Sequence, residues 1–200
     1  MNLAVAATVF GLVALAELPD KTMIANIVMG SRGRPLPVWV GATGAFALHA
    51  ALAVAAGRFL TLLPHRALET VVAVAFGLGA IYLLFVPEKT ERRRGVQEAA
   101  GEGEVSAETP PWRVALGAFG VIGIGEFGDL TQLLIVNLEA RDKAPVSVFV
   151  GGFLALACIA AIAAFSGRAL LRVLPVSAIR RIGGVVLLGF CAYSFSTLVR

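Results

Sequence analysis

Carboxylates stand in the middle of two long apolar runs, and nothing else in the chain restricts its fold as tightly. The run from Leu3 to Met29 is interrupted by Glu17-Leu18-Pro19-Asp20-Lys21-Thr22. The run from Val114 to Leu138 is interrupted by Glu126-Phe127-Gly128-Asp129-Leu130-Thr131. Runs of this length cross a bilayer as helices. An Asp at the centre of such a helix costs roughly 2.5–3.5 kcal/mol, so four acids together cost on the order of 10 kcal/mol. Acids retained at that cost face a cavity or the interior of a bundle, and they mark a site.

Composition agrees with a membrane setting. Of 200 residues, 58% are hydrophobic and 15% charged, where soluble domains average about 45–50% and about 25%. Further apolar runs follow the first, so the expected fold class is an all-α polytopic membrane protein. The net charge of +4 suits basic loops beside an anionic leaflet. A clustered basic face with aromatics, the mark of a nucleic-acid partner, is missing from the sequence. Cys158 and Cys191 lie inside apolar runs and read as small core residues. Ala14-Leu15-Ala16 imitates a signal-peptide cleavage site, but no basic n-region precedes it, so residues 1–29 are expected to form a mature helix.

Six transmembrane helices are expected, at about Leu3–Met29, Val38–Ala56, Leu68–Val86, Trp112–Leu138, Val146–Phe165 and Ile179–Val199. Pro87–Pro111 separates the third from the fourth. It begins basic (Lys89, Arg92, Arg93, Arg94) and turns acidic (Glu98, Glu102, Glu104, Glu108), a composition that predicts a disordered tether. Glu139 to Pro145 reads as the turn after the fourth helix. Three landmarks recur at nearly one spacing. Glu17 matches Glu126 at 109 residues, Gly57-Arg58 matches Gly167-Arg168 at 110, and Leu63-Pro64 matches Leu174-Pro175 at 111. The chain therefore reads as a duplicated three-helix unit: residues 1–86, a charged linker over 87–111, and residues 112–200. Three crossings per copy turn the second copy over, giving two inverted three-helix repeats with a site at the midplane. Eleven Lys and Arg fall on the side of loops 32–34, 89–113 and 168–181, against five on the other. The positive-inside rule then makes the linker cytoplasmic and leaves both termini outside, in a cell (inner) membrane.

On a helix, Glu17, Asp20 and Lys21 share one face. Pro19 should break that helix, Gly128 can open the second one, and broken helices expose carbonyl oxygens that bind cations in transporters. Thr22, Thr131 and Gln132 add polar groups, as do Asn26 and Asn137. Neither motif contains His or Cys. An oxygen-only ligand set favours Ca²⁺, Mn²⁺ or Mg²⁺ over zinc and copper. A local Glu17–Lys21 bridge accounts for one motif on structural grounds alone, but Leu130 denies the second motif the same explanation. His49, midway along the second helix, reads either as a proton relay or as a histidine bonded to a neighbouring helix.

The doubled motif resembles Glu-x-Gly-Asp-Lys/Arg-Thr/Ser of the GDT family of cation/proton exchangers, which includes Golgi and chloroplast manganese transporters and bacterial manganese exporters. The resemblance covers nearly the whole chain. Two positions depart from it: Pro19 stands for the motif glycine and Leu130 for the motif base. The resemblance implies export of Mn²⁺, or of Ca²⁺, in exchange for protons, with no prosthetic group. It places Glu17, Asp20, Thr22, Glu126, Asp129 and Thr131 at the metal positions, with Lys21, His49 and Gln132 as auxiliary or proton-path residues. A homo-oligomer is compatible with it. The rival readings are an intramembrane metal-dependent transferase and a channel or small-solute exporter. A transferase would want its acids near the interface under sizeable loops, whereas these lie mid-span. Carboxylates that can be neutralised within inverted repeats favour alternating access over an open pore.

Overall fold

All regular structure among the described residues is helical, as the long apolar runs lead one to expect. A computed structural model describes residues 1–18, 20–32, 34–62, 64–85, 87–100, 109–166 and 176–199. Pro19, Leu63, the linker acids Glu102, Glu104 and Glu108, and the landmarks Gly167-Arg168 and Leu174-Pro175 lie outside them. The helices are α1 (Leu3–Glu17), α2 (Lys21–Gly30), α3 (Pro35–Leu60), α4 (His65–Phe85), α5 (Glu88–Ala100), α6 (Pro111–Gly125), α7 (Leu130–Asp142), α8 (Pro145–Ser166) and α9 (Val176–Val199).

The outside of the bundle is apolar. On α4, Val71, Val74, Leu78, Ile81 and Phe85 are exposed, while Val72, Phe76, Ala80 and Leu83 are buried. Both sets follow helical spacing, so one stripe faces the core and the other faces outward. In water such a surface would drive aggregation; against lipid it is at no disadvantage. Among the described residues α3 and α8 are long and apolar enough to cross a membrane, and the total reaches four if α1–α2 and α6–α7 each count as one bent span. Shorter apolar stretches run over Thr70–Phe85 and Arg181–Ser196. Cys158, expected in the core, is exposed on the apolar surface.

The first and fourth apolar runs are broken helices, at the turns where Pro19 and Gly128 lead one to expect an opening. α1 and α2 meet at 75°, and α6 and α7 at 70°. The second break turns on Gly128, whose φ of +79° is a conformation that L side chains rarely adopt.

The broken helices and their long neighbours interlock crosswise. α1 and α2 pack on α8, α6 and α7 pack on α3, and α4 packs on α9. Two close approaches match in detail. A Cβ on Gly151 would collide with the carbonyl of Ala6, and a Cβ on Gly41 would collide with the carbonyl of Ala115. Gly41 and Gly151 are 110 residues apart, and Ala6 and Ala115 are 109 apart. Glycine there lets two backbones touch, which is how membrane helices gain attraction when lipid gives no hydrophobic drive.

Two expectations need correction. The linker is not wholly a disordered tether, because its first half forms α5. Glu, Lys, Arg, Gln and Ala are good helix formers, and the helix docks on α2 through Gly95, where a Cβ would strike the Lys21 carbonyl. Arg32 fastens its end by donating to the Ala99 carbonyl at 3.0 Å. The second correction concerns Glu139, read as a turn residue. α7 continues to Asp142, and Glu139 is fully buried.

Candidate cation site

The two breaks bring the two acidic motifs face to face. Glu17 ends α1 and Asp20 is the N-cap of α2; Glu126 is the C-cap of α6 and Asp129 the N-cap of α7. Each Asp thus sits at a helix N-terminus, where unsatisfied N–H groups and the helix dipole favour negative charge. Asp129 uses that position directly, accepting from the Leu130 N–H at 2.7 Å.

The hydroxyls cross between the motifs. Thr131 Oγ1 donates to Glu17 Oε2 at 2.9 Å, and Thr22 Oγ1 donates to Glu126 Oε1. One pair is the other with the two halves of the chain exchanged. Glu17, Asp20 and Glu126 are buried and offer carboxylate oxygens that lie within 4.8 Å of one another. Glu17 Oε1 has no hydrogen-bond partner. A buried carboxylate oxygen left without a donor is costly, and a cation among the three acids would satisfy it.

Asp129 stands to one side of that cluster. Lys21 reaches across to it, Nζ to Oδ2 at 3.4 Å, with Glu126 Oε1 at 3.9 Å and the Gly125 carbonyl as hydrogen-bond acceptor. The base of the first motif therefore serves the second, which lacks its own. Leu130 turns the other way and lies against α4, where a Cβ on Gly79 would meet its Cδ1 within 2.5 Å. Asp129 and Leu130 also border an apolar crevice of about 520 Å³ between α4 and α7.

His49 and Gln132 brace the second break. His49 Nε2 is 2.9 Å from the Gly123 carbonyl, so that nitrogen carries the hydrogen, since a carbonyl only accepts. Nδ1 faces the Gln132 amide nitrogen at 3.3 Å, and Gln132 Oε1 accepts from the Gly128 N–H at 2.7 Å. The Phe127 ring meets the imidazole edge-on at 6.2 Å. Of the two sequence readings of His49, the structure matches the histidine bonded to a neighbouring helix. With Glu126 and Thr131, His49 and Gln132 line a small cavity beside the acids. The Gly125 carbonyl and Glu139 were missed by sequence reasoning. No side-chain pattern singles out one backbone acceptor, and Glu139 reads as a turn residue because Arg141, Asp142 and Lys143 follow it.

Helices with an apolar exterior around a buried carboxylate cluster define a polytopic membrane protein with a polar centre. The sequence profile of a family described as divalent cation/proton antiporter GDT1 matches residues 5–91 and 114–198. The chain belongs to that family, which is one of transporters and not of enzymes. It is 25% identical over 196 residues to a GDT1-like protein of Synechocystis, covering 94% of this chain and 95% of that one. GDT1-like protein 3 of Arabidopsis thaliana is 23% identical over 93% of this chain and 68% of its own length. The chloroplastic protein PAM71 of the same plant is 24% identical over 96% of this chain and 57% of its own length. No solved structure matches.

Proposed function

We propose that the chain exports a divalent metal cation, Mn²⁺ or Ca²⁺, in exchange for protons across a cell membrane. The cation is substrate, held at the midplane by Glu17, Asp20, Thr22, Glu126, Asp129 and Thr131. The observation that carries the reading is the crossed pair, Thr22 to Glu126 and Thr131 to Glu17. It means that neither half of the chain makes the site alone. The exchange of partners between halves, repeated at Gly41 and Gly151, supports two inverted three-helix repeats, residues 1–86 and 112–200, joined by a cytoplasmic linker over 87–111, with both termini outside.

Four carboxylates and two hydroxyls supply the hard oxygens that replace a divalent cation's hydration. Protons compete for the same carboxylates, so loading metal releases protons, and an exchanger needs no further coupling element. Lys21 holds Asp129 and Glu126 when the metal is away. His49 and Gln132 keep the α6–α7 break in shape and border the cavity through which protons reach Glu126.

Purified protein in liposomes tests this. With an acidic interior, Mn²⁺ should enter as protons leave, Ca²⁺ should be carried or should compete, and Asp20→Asn should abolish both movements. A divalent flux that ignores the pH gradient, or no flux at all, would refute exchange.

A further inference from the structure

Glu139 is a fully buried carboxylate that the cation cluster does not use. It lies seven residues after Gln132 on α7, hence on the same stripe and about 10 Å further along the helix. Its stem is pressed onto α3, where a Cβ on Gly57 would stand 2.6 Å from its own Cβ. Neither Oε1 nor Oε2 accepts a hydrogen bond of full geometry; the Ala144 N–H is directed at the carboxylate without completing one. Three polar groups face it: Arg58 from α3, Asp142 from α7 itself, and the backbone amide of Ala144 at the entry to α8. Arg58 is exposed, so its charge is spent largely on solvent.

A carboxylate in such a place is costly when ionised, and a proton removes the charge. A divalent cation fits less well. It needs several oxygen donors with room around them, whereas Glu139 is wedged against the α3 backbone at Gly57. The feature is also one-sided. At the 109-residue offset its counterpart is Gly30, which sits against the Ala164 carbonyl.

We propose that Glu139 is a proton-binding site between the cation cluster and the outer surface, occupied independently of the metal. A proton from water at the outer end of α7 adds to the carboxylate to give the neutral acid, and leaves by the reverse step. The direction assigned to this traffic rests on the exchange reading above; the site itself does not.

Dicyclohexylcarbodiimide, which modifies protonated carboxyls in apolar surroundings, tests the site on wild-type protein in membranes, with modified residues mapped by mass spectrometry. Glu139 should be modified, modification should fall as pH rises, and saturating Mn²⁺ should leave it unchanged while protecting Glu17 and Glu126. Protection of Glu139 by Mn²⁺ to the extent seen at Glu17, or no modification of Glu139 at any pH, would overturn the proposal. Because distant sites act independently, Glu139→Gln should bind Mn²⁺ within about twofold of wild type. In liposomes its exchange rate should depend less steeply than that of wild type on the pH of the outer face, the cluster's own protons supplying the remaining slope, and a wild-type pH profile would count against the proposal. If the variant does not fold, the labelling of wild-type protein still decides. Absent flux with pH-dependent labelling intact would sink the exchange reading and leave the proton site standing.

Discussion

At the scale of single residues, the site is a set of charges held together by two hydroxyls and one lysine. Mutual repulsion among buried carboxylates works against the empty protein, and a cation bound as proposed would relieve it. Asp20→Asn, Glu17→Gln and Glu126→Gln should therefore each weaken Mn²⁺ binding by at least about tenfold while raising the melting temperature of the metal-free protein. Calorimetric titration and thermal unfolding in detergent would check both; an acid variant that binds normally removes that residue from the site. Thr22→Val and Thr131→Val remove equivalent donors from Glu126 and Glu17, so their losses of affinity should be alike. Lys21→Met strips the counter-charge from Asp129 and Glu126. It should lower the metal-free melting temperature, and Mn²⁺ should restore it. The four acids and two threonines were legible because the motif occurs twice and its members are out of place in hydrocarbon. Glu139 was not. The charged residues Arg141, Asp142 and Lys143 just after it look like solvent, and its burial is decided by Gly57, far away in sequence.

At the scale of helices, the breaks are what make a site out of spans. An unbroken helix would carry Glu17 and Asp20 past each other's partners, whereas ending α1 at Glu17 and restarting at Lys21 turns both acids inward, Asp20 with the free N–H groups of α2 behind it. Pro19 and Gly128 made the breaks readable in the sequence, since one removes a donor and the other permits positive φ. The bend angles were not readable, because they are set by the long helices against which each half lies. The linker was misread for a related reason. Its composition is as polar as a disordered segment, yet Gly95 offers α2 a flat contact that composition does not reveal. Gly95→Val should detach α5, seen as faster trypsin cleavage around Lys89 and Arg93, with unchanged cleavage disfavouring the docked arrangement. Gly41→Val and Gly151→Val force side chains into opposing carbonyls. Overpacking costs of about 1–3 kcal/mol each are expected, similar in size because the two contacts are equivalent, and measurable as lowered melting temperatures in detergent.

For the whole molecule, charge outside the spans sets orientation and charge inside them sets what is exchanged. The excess of Lys and Arg on the side of Ser31 and the linker should keep that side in the cytoplasm. An impermeant maleimide applied to intact cells should then label Lys143→Cys but not Ser31→Cys. The native Cys158 and Cys191 lie within apolar helices and give little background. Inside, Glu17, Asp20, Glu126 and Asp129 confront Lys21 as the one cation at the cluster among the described residues. The buried Glu17, Asp20 and Glu126 carry more negative charge than one lysine neutralises, so in a medium of low dielectric the metal-free site is relieved by taking up protons. They bind to the cluster as a whole rather than to one residue, because each acid feels the others. Metal and protons then contend for the same oxygens, and the sign follows directly: raising the pH removes the competitor, lowering it restores the competitor. Mn²⁺ affinity in detergent should accordingly increase by tenfold or more between about pH 6 and about pH 8, with protons released into weakly buffered solution on binding. In Asp20→Asn one competing carboxylate is gone, so both the slope and the proton release should shrink together with the affinity. An affinity that stays level across that range in the wild type would separate proton binding from the metal site, and Glu139 would then be the group through which to look for coupling.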